Sequence, residues 1–128
     1  MLVAADYVDQ ELTHVLLPYG ITADQHNVLR ILRGVHPAGH SRNEISARLI
    51  RRSPDVTRMI DRLVARKLVV RARGKEDRRE SLATITATGL ALLKRTDPIV
   101  EEVQKTLTAT LSASEKRQLS RLCEALVP

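Results

Sequence analysis

"SPDVTRMIDRLVARKLVVRARGKEDRRESLATIT", Ser53 to Thr86, changes its apolar period halfway along. In its first part Val56, Met59, Ile60 and Leu63 recur at helical spacing, while Arg58, Asp61, Arg62 and Ala65 fall on the opposite side. Ser53 is a natural N-cap, Pro54 fits the first helical position, and Asp55 complements the positive helix end. From Leu68 the period becomes two: Leu68, Val70 and Ala72 point one way, and Val69, Arg71 and Arg73 the other. "SLATI" at 81–85 reads as the partner strand, so 68–85 is a β-hairpin with a charged turn.

Upstream, "SRNE" at 41–44 is a capping box that opens a short helix with Ile45 and Leu49 facing inward. "TADQ" at 22–25 is another, followed by Val28, Leu29, Ile31 and Leu32 at helical spacing. Between them "GVHPAGH" at 34–40 reads as a loop. Residues 1–17 can form an amphipathic helix with Leu2, Val8, Leu12, Val15 and Leu16 on its stripe, stopped by "PYG" at 18–20. Downstream, Thr86 can cap a long helix reaching Lys105 or beyond, with Leu93, Ile99 or Val100, Val103 and Leu107 recurring and Pro98 predicting a kink. "SASE" at 112–115 is a third box, and Leu119, Leu122 and Leu126 continue the last stripe.

The expected fold is therefore mainly α with a small β-hairpin wing. A winged helix-turn-helix domain spans 21–86, between an N-terminal helix over 1–20 and C-terminal helices over 87–128. The 128 residues suit one ordinary domain, and the only aromatics are Tyr7 and Tyr19, so the core must come from Leu, Val, Ile and Ala. The single Cys123 excludes an internal disulfide and a multi-cysteine zinc site. No apolar run approaches the roughly 20 residues a membrane span needs, so a reducing cytoplasm is the default expectation.

Charge is segregated. From Ser41 to Glu80 there are 13 Lys and Arg against 6 Asp and Glu, whereas the other 88 residues carry 8 against 9. Basic charge gathered in one segment is a footprint for a polyanion, most often nucleic acid. A short helix, a tight turn, a second helix and a hairpin make a helix-turn-helix followed by a wing, whose second helix is free to enter a major groove. The expected partner is double-stranded DNA. Its candidate contacts are Arg51 and Arg52 before the cap, then Ser53, Pro54, Asp55, Thr57, Arg58 and Arg62, and on the wing Arg73, Lys75, Arg78 and Arg79. Asp77 stands two residues before Arg79, so the two can pair across the turn and hold the guanidinium out toward a minor groove. Blander readings stand beside these: Asp55 as a cap only, Asp61 and Arg62 as a solvated face, the turn as solubilising charge.

Enzymatic chemistry finds no support, because no nucleophile elbow, P-loop or HExxH occurs. His14, His26, His36 and His40 complete no zinc shell, and no cofactor or metal is expected. The terminal helices carry apolar stripes outside a winged-helix core. Their burial in a two-fold interface would use Leu12, Val15, Leu16, Val103, Leu107, Leu111, Leu119 and Leu122.

Taken together, the chain from about 20 to 127 resembles the multiple-antibiotic-resistance regulator (MarR) family of winged-helix transcription factors. "YGITADQHNVLRIL" is similar to the family's entry into its second helix, and "SRNEISARL" with "SPDVTRMIDRLVARKLVVR" to its helix-turn-helix and first wing strand. "DRRESLATITATG" matches the wing signature through Asp77, Arg79, Ile85, Thr86 and Gly89, and "LSASEKRQLSRL" resembles the closing helix. The resemblance implies DNA contacts by Thr57 and Arg58, a minor-groove Arg79 supported by Asp77, and an intertwined homodimer on a pseudo-palindromic operator, usually repressing. It also implies a response to a small aromatic or anionic ligand held between dimer helices and winged domain. Lys67 stands where the family commonly has glycine, which predicts a different helix end, and the short N-terminal segment predicts a smaller interface there. Cys123 is read as a buried small hydrophobe. The alternatives are a regulator whose redox response uses Cys123 and a winged helix used only for protein contacts.

Overall fold

The computed structural model describes residues 2–49, 55–74, 77 and 79–126. Helix α1 (Leu2–Leu16) passes through a tight helical turn (Leu17–Tyr19) into α2 (Ala23–Arg33). Strand β1 (His40–Ser41) then leads into α3 (Arg42–Arg48) and α4 (Val56–Ala65). The hairpin β2 (Val69–Arg73) and β3 (Ser81–Ile85) follows, then α5 (Ala87–Leu107) and α6 (Ala113–Ala125).

Local chemistry starts most helices as expected. Thr22, Ser41 and Ser112 each form a complete capping box, with Gln25, Glu44 and Glu115 reaching back. In the second box the Ser41 amide, then His40, stabilise the Glu44 carboxylate and hold it below its usual range. Thr86 caps α5 by accepting from the Gly89 amide at 3.0 Å. Helix α4 differs, because its N-cap is Asp55 and that side chain makes no capping bond. The Ser53 cap and Pro54 start lie outside the described residues.

The loop expected over 34–40 ends in a strand. His40 and Ser41 pair with Ala83 and Leu82, making a three-stranded antiparallel sheet in the order β1-β3-β2. Two residues carry too short a pattern for period two to show. In β2 Val69 is buried opposite Ile85 and Val70 is exposed, so the face shared by Val69, Arg71 and Arg73 is the one that meets the core, at Val69. Leu68, expected in the first strand, lies in the turn before it and is buried there.

The core is aliphatic. Val28, Leu29 and Leu32 of α2, Ile45 of α3, Val56, Ile60 and Leu63 of α4, Ile85 of β3 and Leu92, Leu93 and Val100 of α5 form one cluster. Leu16, expected at a two-fold interface, is fully enclosed in it at 0 % exposure, so this residue serves the core of the chain itself. Helix α5 runs through Pro98 to Leu107. Helix α6 has no buried residue, and Cys123 on it is exposed, which corrects the buried reading.

Where α4 meets β2 the chain makes one tight turn. Lys67 is left-handed at φ 61°, the conformation glycine usually supplies, so the expected different ending does not occur. The Leu68 amide donates to Leu63 O at 3.0 Å and the Lys67 amide to Val64 O at 2.9 Å, closing the helix in a Schellman turn. Leu63 and Leu68, the apolar pair such a turn brings together, are both buried. Thr86 then grips the turn from α5, donating its hydroxyl to Lys67 O at 2.7 Å and its amide to Leu68 O at 3.0 Å. Gly89 lets α5 approach: a Cβ there would stand 2.5 Å from Leu68 O.

His26 of α2 is buried with its Nε2 unpartnered. Burial first, then Arg30 and more weakly Arg33, hold its pKa below 6.5, with Asp97 opposing.

Three outcomes are expected. Lys67→Gly relieves the left-handed lysine and raises unfolding free energy by about 1 kcal/mol. Gly89→Ala forces the knot apart and lowers it by about 1–3 kcal/mol, read by urea denaturation. The third concerns pH. Below 6.5 the unfolded chain takes up a proton at His26 that the folded chain resists, so this contribution is complete above 6.5 and is lost as pH falls. The stability loss of His26→Leu between about pH 7 and pH 5 is therefore smaller than that of the wild type.

Candidate nucleic-acid interface

The polar side of α4 is open to solvent. Thr57, Arg58, Asp61 and Arg62 are all exposed, while Val56, Ile60 and Leu63 fix the opposite side in the core. Apolar anchoring at helical spacing thus determines which side chains the helix presents. Arg58 Nη1 lies 3.6 Å from Asp55 Oδ2, one turn back, a geometry that biases the guanidinium toward the N-terminal end of the helix. Arg51, Arg52, Ser53 and Pro54, expected to bring positive charge to that end, lie outside the described residues.

Arg71 and Asp61 connect the helix to the wing. Arg71 Nη1 is 2.5 Å from Asp61 Oδ1, so β2 and α4 are tied by an ion pair. Sequence alternation placed Arg71 with Arg73 on one face but gave no partner; the register setting Arg71 opposite Ala83 turns it toward α4. Arg42, legible only as part of a capping box, donates to Thr57 Oγ1 at 3.4 Å. These groups line a cleft of about 470 Å3 formed by Arg42, Thr57, Ile60, Asp61, Arg71, Ser81 and Ala83. The Asp61 carboxylate on its lining neutralises Arg71, which leaves Arg42 as the cation of the cleft without an acidic partner on that lining.

At the wing tip, Gly74 donates its amide to Glu80 O at 2.8 Å and Glu80 donates back to Asp77 O at 3.1 Å. A Cβ on Gly74 would stand 2.6 Å from Asp77 O, so glycine permits this close turn. The carboxylate of Asp77 accepts the backbone amide of Arg79 at 2.9 Å. From its place two residues before Arg79, Asp77 is expected to orient the Arg79 guanidinium. The contact made is instead an Asx turn, shaping the backbone on which Arg79 stands. Arg73 and Arg79 are exposed, and Lys75 and Arg78 lie outside the described residues.

Away from the wing, a second cavity of about 600 Å3 lies between α1 and α5, where Tyr7 and Val15 face Pro98, Val103 and Leu107, with Glu11 and Glu102 also on the lining. Leu12 and Leu111 are half-buried, and Leu119 and Leu122 on α6 are 47 % and 48 % exposed. Among the described residues no group of three or more His, Cys, Asp or Glu could hold a metal ion, and no helix is long and apolar enough to cross a membrane.

Known proteins share this arrangement. A MarR family model matches residues 19–80. A MarR transcription factor from Planctomyces limnophilus is 36 % identical, with 97 % of this chain and 90 % of that one covered at a TM-score of 0.75. A mutant E. coli MarR complexed with operator DNA is 29 % identical over 98 % of this chain and 89 % of its own, at a TM-score of 0.88. BpsR of Bordetella bronchiseptica, whose DNA binding is regulated by 6-hydroxynicotinic acid, is 25 % identical over 96 % and 86 %, at 0.87. No curated protein sequence matches the chain. Likeness that runs through the terminal helices as well as the reading head and wing goes beyond a shared helix-turn-helix: the chain belongs to the MarR family of winged-helix, DNA-binding transcription regulators.

Proposed function

We propose that this regulator binds a specific pseudo-palindromic operator as a homodimer, represses from it, and is released by a small aromatic or anionic ligand. The observation that carries the reading is the α4 face: Thr57, Arg58 and Arg62 stand exposed on a helix whose other side is locked in the core, beside a wing bearing Arg79. One helix fits a major groove of about 12 Å, and a wing arginine reaches the adjoining minor groove, where A·T-rich DNA concentrates negative potential. Likeness to a MarR seen on operator DNA supports the same use here.

The domain division follows from it, with 21–86 reading DNA and 1–20 and 87–128 pairing protomers. Val103, Leu107 and Leu111, with Leu12 and Val15, leave apolar surface half covered, and Leu119 and Leu122 on α6 remain about half exposed. A two-fold partner buries these faces and sets two recognition helices about one DNA turn apart. For the ligand, the α1–α5 cavity offers Tyr7 and apolar walls. Regulation of BpsR by an aromatic acid supports that class.

Binding of purified protein to the duplex upstream of its own gene and to random duplexes, across salt concentrations, tests this. Wild type is expected to prefer its own duplex, to protect two half-sites about 10 base pairs apart, and to weaken steeply with salt. Arg79→Ala should cost roughly 1–3 kcal/mol for each arginine lost. Equal, weak binding to every duplex, unchanged by the substitution, would instead indicate a protein-contact module.

A further inference from the structure

Arg66, the residue just past α4, turns away from the cleft and the wing. Its guanidinium donates from Nη1 to Gly20 O at 2.5 Å and from Nη2 to Tyr19 O at 3.1 Å. Those carbonyls close the helical turn Leu17–Tyr19, where unpaired acceptors and partial negative charge collect. Gly20 is left-handed at φ 73°, and a Cβ on it would stand 3.1 Å from Arg66 Nη2. A glycine here both permits the turn and lets the guanidinium lie against it.

A second cation meets the same junction. The Arg95 guanidinium of α5 sits 5.3 Å from the centroid of the Tyr19 ring. On either side of the junction Leu16 and Ile21 are buried in the core. Two residues between α1 and α2 thus receive one arginine from the recognition helix and one from the long helix.

We propose that Arg66 is a positioning residue for DNA reading. It fixes the C-terminal end of α4 to the Tyr19–Gly20 junction, so that the tilt of the reading helix follows the seat of α1 against α5. The inference rests on the DNA-reading role proposed above. The alternative for an exposed arginine beside a recognition helix is a plain phosphate contact. Here both terminal nitrogens are already committed to carbonyls, which favours the clasp. Lysine separates the two: it keeps the charge and would serve a phosphate, but it has no planar fork to span two carbonyls.

The test uses the full chain and a duplex enriched from a random pool by the wild-type protein. Affinities for that duplex and for random duplex are measured for wild type, Arg66→Lys and Arg66→Ala, with amide hydrogen exchange on each free protein. Both variants are expected to bind the enriched duplex about tenfold more weakly. Arg66→Lys should keep wild-type affinity for random duplex, and exchange should quicken at Gly20 and Lys67. Arg66→Lys binding the enriched duplex as well as wild type, or unchanged exchange at both amides, overturns the positioning role alone. A wild-type protein that enriches no sequence overturns the DNA-reading role and the positioning role with it.

Discussion

The C-terminal end of α4 is set by a left-handed turn at Lys67. A helix must stop there, a strand must start, and the backbone groups left over must be satisfied. The Schellman bonds from Lys67 and Leu68 take the carbonyls of Val64 and Leu63 in the last turn of α4, and Thr86 at the start of α5 takes those of Lys67 and Leu68. Gly89 brings that start close enough, and Arg66 ties the same corner to the turn before α2. A lysine in a left-handed conformation costs on the order of 1 kcal/mol. Burial of Leu63 and Leu68 beside it offsets that cost, since each fully buried side chain of this size contributes about 1.5–3 kcal/mol.

The electrostatics divide between holding and offering. Arg33 with Asp97 joins α2 to α5, and Arg71 with Asp61 joins the wing to α4, so some of the basic charge is used within the chain. Arg62, Arg73 and Arg79 stand exposed on the helix and hairpin that flank the cleft. Exposed ion pairs of this kind contribute little stability, commonly under about 1 kcal/mol. Their value lies in direction: Asp55 biases Arg58 along the helix, and Asp61 holds Arg71 of the strand against the helix.

Periodicity and caps made most of the fold legible. The three capping boxes, the apolar face of α4 and the hairpin were open to reading because each depends on neighbours within four residues or on a simple period. The start of α4 was less so: no Asp55 side-chain bond caps it, although "SPD" is a favourable opening. Asp77 was recognised as the support of Arg79, but only the folded turn shows it acting through the amide.

Local sequence, then, determined the helix stripes, their starts, the charged wing and the segregation of positive charge, because these are properties of residues close together in the chain. Tertiary structure decided what distance in sequence conceals. It placed Leu16 in the core, drew His40 into the sheet, left Cys123 exposed, and let Lys67 occupy a glycine's conformation. It also brought Arg66 to carbonyls more than forty residues earlier. Such contacts depend on how finished elements pack, and no period or cap within one element encodes the partner it will meet.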